Sequence, residues 1–367
     1  MVTTQTLWLA GASLVLPFLS SVASDSALSP RAEEGQRIRR TVSLEAQMKL
    51  VRVRQSQNGD STDDGGTSGF HRNSSTKRIF TAIDEIEAAS KDGATRFLRS
   101  FDGMKGHTKL VEEMDGDKEW GDLGSKFEVD SPLVSSLNGQ AVRFALGDDQ
   151  WNKTPAPGSP LEAAQLQGLS TDLALEFLLP NKTVRRGGRW TASVDGMRQL
   201  LSLGGELGFE KTKEPEDGVF SSMMSRVPID PAKTQWTGKI DLVHKGKVQV
   251  RGSRRIAIQI KVDATATNHA TFEMPSMAGQ EAPPGASMGG GEIATDYEVH
   301  YKGTGQLEWD AEIGQVVSLD LKLDVNEVAS EANSMNMPGM GKLDIETSEV
   351  SEGTVKIGFE AALLKDQ

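Results

Sequence analysis

Residues 254–266, RRIAIQIKVDATA, place Ile256, Ile258, Ile260, Val262 and Ala264 at every second position. Successive side chains of a β-strand point to opposite faces, so this spacing describes a strand with one apolar and one solvated face. Residues 297–328 repeat the pattern twice around a turn. Leu307, Trp309 and Ala311 share a face on the first arm, and Val317, Leu319, Leu321, Leu323 and Val325 share one on the second. Ser318, Asp320, Lys322 and Asp324 fall between them and face water. Parallel strands buried on both faces read as continuous apolar runs, so alternation over this length points to antiparallel sheet. The expected fold class is mainly β, a long antiparallel curved sheet or half-barrel with a few short helices.

The same periodicity begins early. Val42, Leu44, Ala46, Met48 and Leu50 alternate, and residues 77–90 and 94–101 read as strands joined by a Lys-Asp-Gly turn at 91–93. Residues 140–146 form another short strand, and 238–244 and 247–251 precede the 254–266 strand. Residues 341–363 close the chain with one or two more. The best helix candidate is 159–172, with Ser159 as cap and Pro160 at the first helical position. Val184-x-x-Gly187-x-x-Trp190 reads as a tight turn entering a strand, and residues 54–75 as a long polar loop.

Residues 7–19, LWLAGASLVLPFL, form an uncharged apolar run of the length of a signal-peptide core. Small residues follow, and cleavage after Ala23 fits a small-x-small site, although MVTTQT ahead of the run lacks Lys and Arg. The run is too short for a transmembrane helix and contains Pro17. The expected division is a signal at 1–23, a polar linker at 24–40, and two β-rich halves at 41–180 and 181–367. The expected location is the periplasm or cell surface. There are no cysteines, which removes disulfides, thiolate metal sites and cysteine nucleophiles. The net charge of −12 opposes nucleic-acid binding. The basic run from Arg31 through Arg37, Arg39 and Arg40 to Arg54 reads as a solvated linker entering a strand. Asn73, Asn152 and Asn181 stand in N-x-[ST] sequons, which matter only in a eukaryotic secretory path.

Several stretches invite a catalytic or metal reading. Gly285-Ala-Ser287-Met-Gly289 matches the G-x-S-x-G of serine hydrolases. A nucleophile elbow needs an apolar strand before it and a helix after it, but prolines precede Ser287 and glycines follow it. Asp115, Asp117, Glu119 and Asp122 crowd one loop, yet Trp120 and Lys126 occupy the positions where an EF-hand needs Gly and Glu. The five histidines, His71, His107, His244, His269 and His300, show no zincin spacing. Six of 13 methionines lie between 274 and 340. Thioethers select Cu(I), so Met335, Met337 and Met340 are candidate copper ligands. Met-rich loops equally pack on apolar surface as a lid. No phosphate-binding or dinucleotide motif is present, and no cofactor is implied.

Residues 178–190 contain an LP-x-K-x-V-x-x-G-x-x-W turn, and residues 303–321 a G-x-G-x-L-x-W/F-D-x-x-x-G hairpin. Both resemble segments of uncharacterised exported β-rich bacterial proteins of the planctomycete type, assigned to domains of unknown function. The architecture implied is loosely similar to the LolA-like half-barrel, and no catalytic residues come with the resemblance. The expected function is therefore a non-enzymatic envelope protein. Its sheet would bind an apolar small molecule, a lipid or a protein partner, with Leu307, Trp309, Leu319, Leu321 and Leu323 as groove residues. The alternatives are a Cu(I)-binding protein and, further off, a hydrolase using Ser287.

Overall fold

Alternation fixes a single face across eight long strands, and hydrogen bonding then joins them into one sheet. The computed structural model describes residues 28, 30–61, 69–91, 93–115, 125–148, 150–180, 182–212, 233–250, 252–274, 291–337 and 341–364. The strands are β1 (Arg37–Gln57), β2 (Asp60–Ser61), β3 (Phe70–Ser90), β4 (Gly93–Met114), β5 (Ser125–Ser135), β6 (Ala141–Leu146) and β7 (Trp151–Pro155). They continue as β8 (Arg189–Ala192), β9 (Phe209–Lys211), β10 (Gln235–Val250), β11 (Ser253–Met274), β12 (Gly291–Asp310), β13 (Gln315–Met337) and β14 (Gly341–Leu364). All 14 belong to one antiparallel sheet whose main path, β7-β6-β4-β3-β1-β14-β13-β12-β11-β10-β8, is open. The 21 residues of β1 span about 70 Å at the usual rise per residue.

β14 pairs with β1 along nearly its whole length, so the first and last long strands are neighbours and both halves of the chain share the sheet. Strand β1 begins at Arg37, inside the stretch expected as linker, and Leu28 is already buried in the core. The expected loop at 54–75 is shorter, because β1 runs to Gln57 and β3 starts at Phe70. The expected hairpin is present, with Ser90 of β3 opposite Gly93 of β4. The break expected near 245 and the inward place expected for Ala311 both give way to bulges. β10 is continuous through a bulge between His244 and Gly246. A second bulge lies between Glu308 and Trp309, where Trp309 pairs with Val316, and Ala311 sits exposed in the turn. Gly303 and Gly305 sit where a Cβ would collide with the carbonyl oxygens of Lys322 and Asp320, which explains the G-x-G of this hairpin.

An apolar sheet face must be covered. Here residues 156–208 supply the cover. This stretch contains α1 (Ala163–Leu166), a 3-10 turn at Glu176–Leu178 and α2 (Gly196–Leu201). The long helix expected at 159–172 is only one turn, opened by Glu162, because Gly168 and Asp172 leave the helical path for packing and capping contacts. Leu166, Leu173, Leu175, Leu178, Met197 and Leu200 are all 0–1% exposed and pack with Ile258, Leu307, Leu321 and Ile357 of the sheet. The Val184–Trp190 turn forms as expected. Gly187 has φ +81°, Trp190 enters β8, and the Trp190 indole donates to the Leu178 carbonyl at 2.8 Å.

Candidate functional site

Three charged residues stand on the buried face between apolar neighbours on the same face. Arg40 lies between Ile38 and Val42, Asp84 between Ala82 and Ile86, and Arg99 between Phe97 and Phe101. Strand register makes Asp84 the partner of Arg99 across β3 and β4. The Arg99 guanidinium donates to both Asp84 oxygens, Nε at 2.7 Å and Nη2 at 2.9 Å. It also donates to the carbonyls of Ser170 (2.7 Å) and Thr171 (3.0 Å), which ties the cover to the sheet. Arg40 donates to Asp84 through Nη1 and to Gln315 Oε1 through Nη2 at 3.0 Å. Arg99 lies 5.1 and 5.0 Å from the centres of the Phe97 and Phe144 rings, which stack on each other at 4.8 Å. Arg40, read from sequence as part of a solvated run, is 4% exposed.

Burial alone would push the Asp84 carboxyl up, but the guanidiniums of Arg99 and Arg40 override it and hold the pKa below the usual carboxylate value. Asp172 and Glu176 on the cover behave oppositely. Asp172 caps the turn by accepting from the Ala174 amide at 2.7 Å, and burial raises its pKa. Glu176 stands at the rim with much of its surface in water. Loss of solvation at the cavity, followed by the charge of Asp172, raises its pKa to about 7.

Beside this cluster opens a cavity of about 360 Å³. Five stretches of chain converge on it: Arg31 and Ala32 ahead of β1, the β3–β4 turn, Leu146 and Trp151 at the β6–β7 turn, residues 171–176 of the cover, and Gln315. Phe97 and Trp151 meet edge to face at 5.4 Å in its wall. Its lining sets apolar residues beside nearly as many polar and charged ones, so it is a more polar pocket than most small-molecule sites.

The residues expected to form the groove lie elsewhere. Leu307, Trp309, Leu319, Leu321 and Leu323 are 0–2% exposed and pack in the core under the cover, and none lines the cavity. Ser287 and Met340 lie outside the described residues, as do most of the 115–122 acidic loop and the cleavage site near Ala23. Met335 and Met337 end β13. Four histidines each meet an aspartate in the exposed part of the sheet: His71–Asp115 (3.3 Å), His107–Asp130 (2.6 Å), His269–Asp296 (2.8 Å) and His300–Asp263 (3.0 Å). His244 is buried instead, and neither ring nitrogen has a partner among the described residues. Among the described residues no three His, Asp or Glu side chains converge as a metal site.

No family model and no curated protein matches the chain. Among solved structures, a crystallised FadL homologue of Pseudomonas aeruginosa is similar at 7% identity, over 89% of this chain and 90% of that chain, with a TM-score of 0.18. Overlap at that score carries no argument about fold or function. Among the described residues no helix is long and apolar enough to cross a membrane.

Proposed function

We propose that the protein is an exported, non-catalytic binding protein of the cell envelope. It takes a small molecule with an apolar body into the cavity where the cover meets the sheet. The observation that carries this reading is the cavity itself. It is walled by Ile86, Phe97, Leu146 and Trp151 and has Arg40, Asp84, Asp172 and Glu176 at its polar end. The apolar run at 7–19 followed by small residues supports export. Leu307, Trp309, Leu319, Leu321 and Leu323 would then hold the cover in place, and so shape the cavity from beneath.

Native mass spectrometry of the protein purified from the envelope, beside a denatured sample, tests the reading. The expected result is extra mass in the native spectrum alone, absent from a variant with the cavity filled by Ala94→Trp. A native mass equal to the bare polypeptide would favour a partner chain as the ligand. An adduct retained by a folded Ala94→Trp variant would place the ligand elsewhere.

One observation keeps the copper reading as a second proposal. The register sets Met274 of β11 and Met335 of β13 opposite the same residue, Gly291 of β12, so both lie at one end of the sheet. Bound copper lost on Met335→Leu, Met337→Leu and Met340→Leu together would support it. Equal uptake by that triple variant would end it.

A further inference from the structure

Two of the three carboxylates that line the cavity, Asp172 and Glu176, have no ion-paired cation among the described residues, although Arg40 acts on both from a distance. The guanidinium of Arg99 is spent on Asp84 and on the carbonyls of Ser170 and Thr171. Arg40 is spent on Asp84 and Gln315. Asp84 is therefore served twice. Asp172 and Glu176 line the same cavity, and no cation of the described residues comes within ion-pair distance of either. Asp172 is largely buried, and its side chain accepts only backbone amides, from Ala174 and Glu176. Arg31 stands at the mouth, exposed, and forms no ion pair with a described residue. Of the three carboxylates at this cavity, only Asp84 is therefore held in ion pairs with guanidiniums.

A desolvated carboxylate without a counter-cation is costly, and a cation that arrives with the ligand removes that cost. The adjoining wall suits a cation too. Trp151, half-buried, lines the same space beside Phe97, whose ring is already stacked on Phe144, and an aromatic face attracts an organic cation more strongly once water is excluded. A divalent metal is the poorer fit, because the described carboxylates do not converge as metal ligands.

We infer that the ligand carries a basic nitrogen, an ammonium-type head placed between Asp172 and Glu176, with its apolar body against Phe97, Trp151 and Leu146. This inference rests on the binding reading above and adds the ligand's chemical class. It also makes binding dependent on pH. Glu176 faces Asp172 on its own segment and the Arg40–Asp84–Arg99 cluster across the cavity, with Arg31 at the mouth. Its raised pKa means that it takes up a proton as pH falls through about 7, and the amine then loses one of its two acceptors.

Isothermal titration calorimetry with octylamine, octanol and octanoate separates the possibilities, because the three share a chain and differ in the head. At pH 8 octylamine is expected to bind at least about tenfold tighter than octanol, with octanoate weakest. The ratio of amine to alcohol affinity should fall between about pH 8 and pH 5.5, and it should collapse in the Asp172→Asn, Glu176→Gln double variant. Asn at 172 keeps the oxygen that accepts from Ala174, so the turn is retained. Equal affinity for all three compounds, or tightest binding of octanoate, overturns the basic-nitrogen inference and leaves the binding reading intact. Failure of all three, together with a bare native mass, overturns both.

Discussion

One sheet face carries two chemistries along the same strands. On β13 the residues Leu319, Leu321, Leu323 and Val325 pack under the cover, and the next four on that face are Glu327, Ala329, Glu331 and Asn333. On β14 the order runs from Phe359, Ile357 and Val355 at the covered end to Ser351, Glu349 and Thr347 beyond it. At the covered end the face meets the leucines of 156–208. At the far end it makes polar contacts of its own. Arg72 donates to Glu349 at 2.6 Å, and the Tyr297 hydroxyl donates to Glu327 at 3.0 Å. Burial first, and Glu327 second, push the pKa of the neighbouring Tyr301 up to about 12. The alternation of the backbone is the same in both regions, so periodicity alone does not say where the core stops. What marks the boundary is the residue type at the inward positions.

Substitutions on either side of that boundary should differ widely. Leu321→Ala, at a fully buried site, is expected to cost about 3–5 kcal/mol in chemical denaturation, whereas Glu331→Ala on the same strand should cost under about 1 kcal/mol. Similar costs at the two sites would break the comparison. Arg99→Met leaves Asp84 buried with Arg40 alone and cuts the ties to Ser170 and Thr171, so a loss of about 3 kcal/mol is expected. The far-end pair gives the matched contrast. Its side chains are 20% and 10% exposed, and Arg72→Ala should cost about 1 kcal/mol.

Acid sharpens the contrast further. The lowered pKa of Asp84 gives a contribution to stability that is present above its unfolded value near 3.8 and is lost as pH falls through the lower folded value. Glu176 has the opposite sign. Its raised pKa favours the folded state below the unfolded value of 4.5, and that advantage is lost as pH rises through about 7. Glu176→Gln should therefore raise the thermal midpoint at pH 8 and leave it nearly unchanged at pH 4. The gain should stay below about 1 kcal/mol, because the residue is exposed and screened. A variant that is less stable than the parent at pH 8 would contradict this sign.

Much of the fold was legible in the sequence. Alternation in 254–266 and 319–325 named the inward residues, whereas Val316 rather than the expected Val317 joins the core beside the bulge, and the Asp-Gly signal at 91–93 placed a hairpin. The bulges at 244–246 and 308–309 were not legible, because one extra residue shifts register without changing composition. The cover was half legible. Leucines at irregular spacing in 156–208 fit neither period, which is what a segment held by packing and caps looks like. The candidate site was missed, although a signal was present. Ile38-x-Arg40-x-Val42, Ala82-x-Asp84-x-Ile86 and Phe97-x-Arg99-x-Phe101 each put a charge where alternation demands an apolar residue. Opposite charges at such positions on three strands point to a buried cluster. Strand order was the missing piece, since only the pairing of β3 with β1 and β4 brings the three together.

The measurement that tests this account most directly is amide hydrogen exchange read separately along β13 and β14. If 156–208 covers one end of a continuous sheet, amides of 319–325 and 355–359 should exchange orders of magnitude more slowly than those of 329–334 and 345–349. Arg99→Met should narrow that gap by loosening the cover. Uniform protection along both strands, unchanged in the variant, would contradict a covered core that ends part-way along the sheet.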